Sequence, residues 1–146
     1  MRPLTKMREV WKPVAGHEGC YEVSNLGCVR SVNRAVWVDA YVDRNGIKRA
    51  AAIRHYVGRM LRPGVQKKSG HVSVAIGKGN SRLVHQLVLE AFVGPCPEGH
   101  EVLHLDHNPA NNNLSNLKYG TRSENIRMDF QVGGSRAWRL KGEQRA

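Results

Sequence analysis

Little in this chain can act as a covalent staple. Its 146 residues include only three cysteines, Cys20, Cys28 and Cys96. An odd count with no Cys-x-x-Cys pair argues against a disulfide framework and a four-cysteine zinc site, and leaves small thiols, buried or half-exposed. Aromatic residues are scarce at 6%, so the core must be thin and aliphatic. No apolar run reaches the ~18 residues needed to span a bilayer. The opening MRPLTKMREV has no apolar signal-peptide core. These absences predict a cytoplasmic protein that does not enter a membrane. Acidic residues are also few: 12 Asp and Glu stand against 23 Lys and Arg, a formal net charge of +11. That balance suits a polyanionic partner, either nucleic acid or an anionic membrane surface.

What is present supports one ordinary domain, or two small lobes sharing a modest core, since 40% of the residues are hydrophobic. The positive charge is unevenly spread. Residues 1–70 hold 14 Lys and Arg against 5 Asp and Glu, whereas residues 71–146 hold 9 against 7. A lobe that grips phosphates, followed by one that binds a cation, would show this asymmetry; a generally solvated basic surface is the plainer alternative.

Along the first half the pattern is extended. Residues 9–14 form a short strand closed by Pro13. Tyr21–Ser24 alternates, Asn25-Leu-Gly27 turns, and residues 28–32 alternate again. Residues 34–42 are β-branched and aromatic, and Asp43-Arg-Asn-Gly46 is a turn from which Ile47 onward returns. Residues 50–62 are ambiguous and could pass for a helix limited by Gly58 and Pro63. Residues 64–70 form a basic loop, and 71–76 a strand. At residue 83 the period changes: Leu83, Leu87, Val88, Ala91 and Phe92 recur at helical spacing, which predicts a helix over 84–93 stopped by Gly94-Pro95. Residues 101–105 are a short strand, 106–116 an Asn-rich loop and 117–119 a second strand. Thr121-Arg-Ser-Glu124 fits a capping box for a helix over 122–130. The tail, 131–146, is basic and loosely held.

The chemistry concentrates in residues 101–125, EVLHLDHNPANNNLSNLKYGTRSEN. A strand ending in His, a loop, a strand and a capped helix with Asn in its first turns can fold so that His104 and Asn125 face one pocket. Phosphodiester hydrolysis needs a base for water, a hard cation against the phosphate, and a group that orients the base. His104 offers the first. Asn125 offers an amide oxygen to Mg²⁺ or Mn²⁺. Asn116 can hydrogen-bond around His104 and fix its ring.

On these residues the segment Arg82–Asn125 resembles the HNH nuclease family in its phage and intron form. The matching pairs are Val84-His85, Ala91-Phe92, His104-Leu-Asp106, Asn111-Asn112, Asn116-Leu117, Gly120-Thr121 and Glu124-Asn125. The resemblance implies a ββα-metal fold, His104 as general base, Asn116 as the middle Asn, and Asn125 as metal ligand. Residues 10–32, with Trp11, Gly16, Glu18-Gly19, Tyr21-Glu-Val-Ser-Asn25, Gly27 and Val29-Arg-Ser31, are similar to a NUMOD-type nuclease-associated DNA-binding motif. The family often has an acidic residue or His just before the catalytic His; here that position is Leu103. Strand alternation would send Leu103 and Leu105 into the core, with His104 and Asp106 on the other face. Asp106 is then a substitute ligand or a loop cap, and Asp129 a third candidate.

The expectation is therefore an α+β protein: a basic antiparallel β lobe (1–70), an HNH module (71–130) with its ββα-metal core at 101–130, and a tail. Arg30, Arg34, Arg44, Lys48, Arg49, Lys67, Lys68, Arg82 and Arg122 are the candidate contacts to double-stranded DNA, by a monomer or weak dimer. Trp11, Trp37 and Tyr21 are assigned to the core, His85 to support of the fold or a phosphate contact, and Asn111, Asn112 and Asn113 to turns. Two other classes stand beside a metal-dependent endonuclease. One is a sequence-specific DNA-binding protein with an impaired nuclease site, which Leu103 favours. The other is an RNA-binding basic protein, which composition permits but the order His104–Asn116–Asn125 does not predict.

Overall fold

Three short strands open the computed structural model, which describes residues 7–131. They are β1 (Trp11–Pro13), β2 (Tyr21–Ser24) and β3 (Val29–Ser31), an antiparallel meander. The β2–β3 turn forms because Gly27 takes φ +85°, a conformation costly for other residues. The Ser24 hydroxyl accepts hydrogen bonds from the Leu26 and Cys28 amides at 3.3 and 3.1 Å, which fixes the turn. Val14, Val23 and Val29 leave the meander for the core.

The next segment stands away from that core. β4 (Arg34–Val38) pairs with β7 (Ala52–Tyr56), and β5 (Tyr41–Val42) pairs with β6 (Lys48–Arg49). Both pairings keep one register, from Arg34 opposite Tyr56 to Val42 opposite Lys48, so they are legs of a single ribbon. The 34–42 stretch is thus two strands interrupted at Asp39-Ala40. Its tip is the expected turn: the Asp43 carboxylate accepts from the Asn45 and Ile47 amides, both at 3.0 Å. Residues 52–56, which could pass for a helix, are extended because the β-branched opposite leg supplies a ladder. Trp37 is a correction. It is 61% exposed on this ribbon, not core.

The second half returns to the core. β8 (Gly64–Val65), β9 (Val72–Ala75) and β10 (Ser81–Leu83) form a second three-stranded sheet, so the 64–70 loop begins with a strand. α1 (Val84–Phe92) buries Val84, His85, Leu87, Val88 and Leu89. Each aliphatic side chain so buried contributes about 1.5–3 kcal/mol. The helix stops where expected, with the Val93 and Gly94 amides both donating to the Leu89 carbonyl. β11 (His100–His104) and β12 (Leu117–Thr121) form a hairpin, and α2 (Arg122–Gln131) follows directly. Leu117 joins Val74, Ile76 and the α1 side chains in one cluster with the meander valines. A single aliphatic core therefore runs across residue 70, with Tyr21 packed against it and bonded through its hydroxyl to the Gly77 amide at 2.9 Å.

Cys20 and Cys28 are half-buried and Cys96 is exposed, all as free thiols. No helix among the described residues is long and apolar enough to cross a membrane. The expected loose tail falls on residues outside the described range, apart from Gln131 at the end of α2.

Candidate active site

Alternation along β11 sorts its side chains between two helices. Glu101 and Leu103 share the face toward α2, while Val102 and His104 share the face toward α1. Leu103 is 1% exposed and packs under Gly120. Leu105 does not follow it inward. The strand ends at His104, the chain turns, and Leu105 is 45% exposed. Asp106, also in the turn, likewise loses the expected alignment with His104.

On the α1 face the rings of His71, His85 and His104 meet. Their centroids are 4.9 Å apart for His71–His85, 5.1 Å for His85–His104 and 5.7 Å for His71–His104. His85 is buried, and burial, with the two neighbouring rings adding to it, pushes its pKa down to about 3. Desolvation and His104 lower that of His71 as well. His71 and His85 are therefore biased toward the neutral form.

The His104 ring is held by Asn112, whose side-chain oxygen lies 3.1 Å from Nε2. With an oxygen as partner, Nε2 carries the proton and Nδ1 keeps a lone pair, the arrangement a general base needs. This position was expected of Asn116. Asn116 instead holds the backbone after His104: its Oδ1 accepts from the Asp106 amide at 3.0 Å, and its Nδ2 donates to Asp106 Oδ1 and the Asn111 carbonyl, both at 2.9 Å. Asp106 caps the loop. Its oxygens accept from Asn111 Nδ2 at 2.7 Å, the Asn108 amide at 2.8 Å and Asn116. Those hydrogen bonds hold its pKa near 2. Asp129 is bound to His107 Nδ1 at 3.1 Å.

On the α2 face the capping box forms as expected. The Thr121 amide donates to Glu124 at 2.7 Å, and the Glu124 amide donates to the Thr121 hydroxyl at 3.3 Å. This sets Asn125 over β11, where its Nδ2 donates to Glu101 Oε1 at 2.6 Å. Glu101 and Asn125 are hard oxygen donors side by side, which fits Mg²⁺ or Mn²⁺. Both line an open cleft of about 440 Å³ whose walls also carry His71, His85 and Arg122. Glu101 went unrecognised in the sequence, although period 2 puts it on the face of Leu103. His71 carried no signal beyond lying at a strand start. Asn112 looked like a turn former but is 6% exposed and bonded to His104.

The basic candidates divide into two sets. Arg30 bonds Glu22 at 2.6 Å and lies over the Trp11 ring at 4.0 Å. Arg49 pairs with Asp43, and Arg82 with Glu90, both at 2.9 Å. These three hold carboxylates within the protein. Arg34 lies over the Tyr56 ring at 4.8 Å. Arg44 and Lys48 are exposed on the ribbon, Lys67 and Lys68 on the turn before His71, and Arg122 at the start of α2. Arg54, not singled out beforehand, lies over Tyr41 and donates to its hydroxyl at 2.6 Å.

The chain is similar to known proteins. Residues 82–127 match the model of an HNH endonuclease family, and residues 9–77 match the NUMOD4 motif. DNA endonuclease I-HmuI of Bacillus phage SP01 is 28% identical over 123 residues, covering 84% of this chain and 59% of that protein. A solved structure, described as DNA binding and cleavage by the HNH homing endonuclease I-HmuI, superposes with a TM-score of 0.62 at 28% identity, covering 90% of this chain and 65% of the other. This chain thus spans about six-tenths of its relative's length. With a NUMOD4 motif running into an HNH module on a shared core, the chain is similar to the HNH endonucleases.

Proposed function

We propose that this protein is a metal-dependent DNA endonuclease that hydrolyses phosphodiester bonds in double-stranded DNA. The observation that carries this reading is the His104 ring, oriented through Nε2 by Asn112 so that Nδ1 is free to take a proton. His104 removes a proton from water as the water oxygen bonds to phosphorus, and the P–O bond to the leaving oxygen breaks. Asn116 holds the backbone that follows His104, so the ring stays aimed. Asn125 and Glu101 would hold the divalent cation, Glu101 standing in for the ligand that Leu103 cannot supply. When bound, such a cation neutralises the phosphate and stabilises the leaving oxygen.

The grip is assigned to the ribbon and its neighbours. A two-stranded ribbon fits the DNA major groove, and this one presents Arg44, Lys48 and Arg54 away from the core, with Arg34 half-buried at its base. Lys67, Lys68 and Arg122 lie outside it, closer in sequence to the histidines and the cleft. Arg30, Arg49 and Arg82 serve the fold first and reach phosphate only if their carboxylates release them. One site per chain implies that a monomer nicks one strand, in the cytoplasm of the cell that makes it.

Supercoiled plasmid incubated with Mg²⁺ or Mn²⁺ tests the reading. Nicking is expected with cation and not with chelator. His104→Ala should lose about 10²–10⁴-fold in rate while a mobility-shift assay shows DNA binding nearly intact. Binding without cleavage under any cation would leave a DNA-binding protein and sink the enzyme. Glu101→Gln should raise the Mg²⁺ concentration for half-maximal nicking, and an unchanged requirement would remove Glu101 from the cation site.

A further inference from the structure

We infer that His71, His85 and His104 form a nitrogen-donor site for a borderline divalent transition metal of the Zn²⁺ class, and that filling it withdraws His104 from its role as base. Two of the three, His71 and His85, line the same cleft as the oxygen pair Glu101–Asn125. The second half of the inference rests on the endonuclease reading; the first rests on geometry alone.

The three ligand nitrogens lie within 4.8 Å of one another. Tetrahedral Zn²⁺ bound at about 2.0–2.1 Å needs its ligands roughly 3.3 Å apart, a closure that side-chain rotation supplies. His85 is the informative member. It is 5% exposed, and its Nδ1 is buried with no hydrogen-bond partner. A buried ring nitrogen is costly to leave unmatched, and a metal would satisfy it. His71 closes the cleft side, half-buried, with no hydrogen bond to its ring among the described residues. His104 has Nε2 on Asn112, so the lone pair offered to a metal is the one offered to water.

The chemistry of the set selects its ion. Burial, and the His104 ring beside them, lower the pKa of both His71 and His85, which favours the neutral form a metal requires. Three imidazoles suit Zn²⁺ or Co²⁺, whereas Mg²⁺ prefers oxygen. The protein therefore offers two donor sets beside one cleft: oxygens of Glu101 and Asn125 for hard ions, and imidazole nitrogens for softer ones.

Calorimetric titration of the full chain with Zn²⁺ alone, and visible absorption with Co²⁺ alone, test the site. One equivalent should bind, with the Co²⁺ spectrum of a low-coordinate nitrogen site. Loss of an outer-shell partner costs metal affinity about 10–100-fold, so loss of the ligand in His71→Gln should cost no less. His71 is only half-buried, and circular dichroism confirms that the variant folds. Cys96→Ser should bind as the parent does. No stoichiometric binding, or a folded His71→Gln with parental affinity, overturns the site, as does loss of binding in Cys96→Ser. In the nicking assay with Mg²⁺, one equivalent of Zn²⁺ should inhibit. His71→Gln, measured against its own uninhibited rate, should need more. Zn²⁺ binding by a chain that never cleaves would defeat the endonuclease reading and leave the site standing. Unimpeded nicking by Zn²⁺-loaded protein would defeat the inhibition.

Discussion

His85 cannot charge where it sits. Its folded pKa of about 3 lies below the ordinary value of 6.5, so the unfolded chain takes up a proton that the folded one refuses. The resulting stability is full above the ordinary value and is lost as pH falls through it, by about 1.4 kcal/mol per pH unit. His71, shifted the same way, adds to the slope. The lowered carboxylates Glu18, Asp43, Asp106 and Glu124 start from ordinary values of 3.8 to 4.5 and act at lower pH. Urea unfolding between about pH 7 and pH 5 should therefore show the histidine slope, flattened in His85→Gln; equal slopes would show that His85 charges freely. Leu103 makes the companion case. It was legible as a core residue because a strand alternates. Leu103→Ala should cost about 2–5 kcal/mol in the same melts, and a loss below 1 kcal/mol would mean that the hairpin does not lean on it. The partner of His104 was not legible. Four asparagines lie between His104 and Leu117, in addition to one at 108 that caps its own turn, and nothing in their order says which reaches the ring. That is decided by the loop path, with His107 at φ +59°.

Elements with their own local signals emerged as read. α1 has helical periodicity and a Gly-Pro stop, and α2 has its capping box. Thr121→Ala should lower stability by about 1 kcal/mol. It should also raise the Mg²⁺ requirement for nicking, because the same turn delivers Asn125 to Glu101. A stability loss without that second effect would separate the cap from the cation site. The ribbon was less legible. Residues 52–56 have no strand signal of their own strong enough to beat a helix, and they become a strand because residues 34–38 lie opposite. Its exposed Trp37, Val42 and Ile53 violate the rule that large apolar groups go inside, a departure expected where function, not stability, selects the residue. If the ribbon grips DNA, each of Arg44→Ala, Lys48→Ala and Arg54→Ala should shallow the slope of log K against log salt by about 0.9, and an unaltered slope would place the grip elsewhere.

For the molecule as a whole, about five phosphate contacts would give a slope near −4.5; a flat response would exclude the basic half as the grip. The charge asymmetry that suggested such a grip was visible in composition, but the joining of the halves was not. One core takes valines from the meander, side chains from α1 and Leu117 from the hairpin, and long-range packing of this kind leaves no short-range mark. The contact at Gly27 is the sharpest instance. A methyl there would come within 2.9 Å of Asn112, the residue that holds His104, while the Asn25 carbonyl beside it accepts from the Leu114 amide at 2.8 Å. The turn of the motif is thus a wall of the site. The consequence is hereditary. On the endonuclease reading, exchange of the motif alone would not give a new address, because an incoming turn with any side chain at this point would push on Asn112, which holds His104. Recombination that retargets such a protein would have to carry the glycine, or carry both walls together.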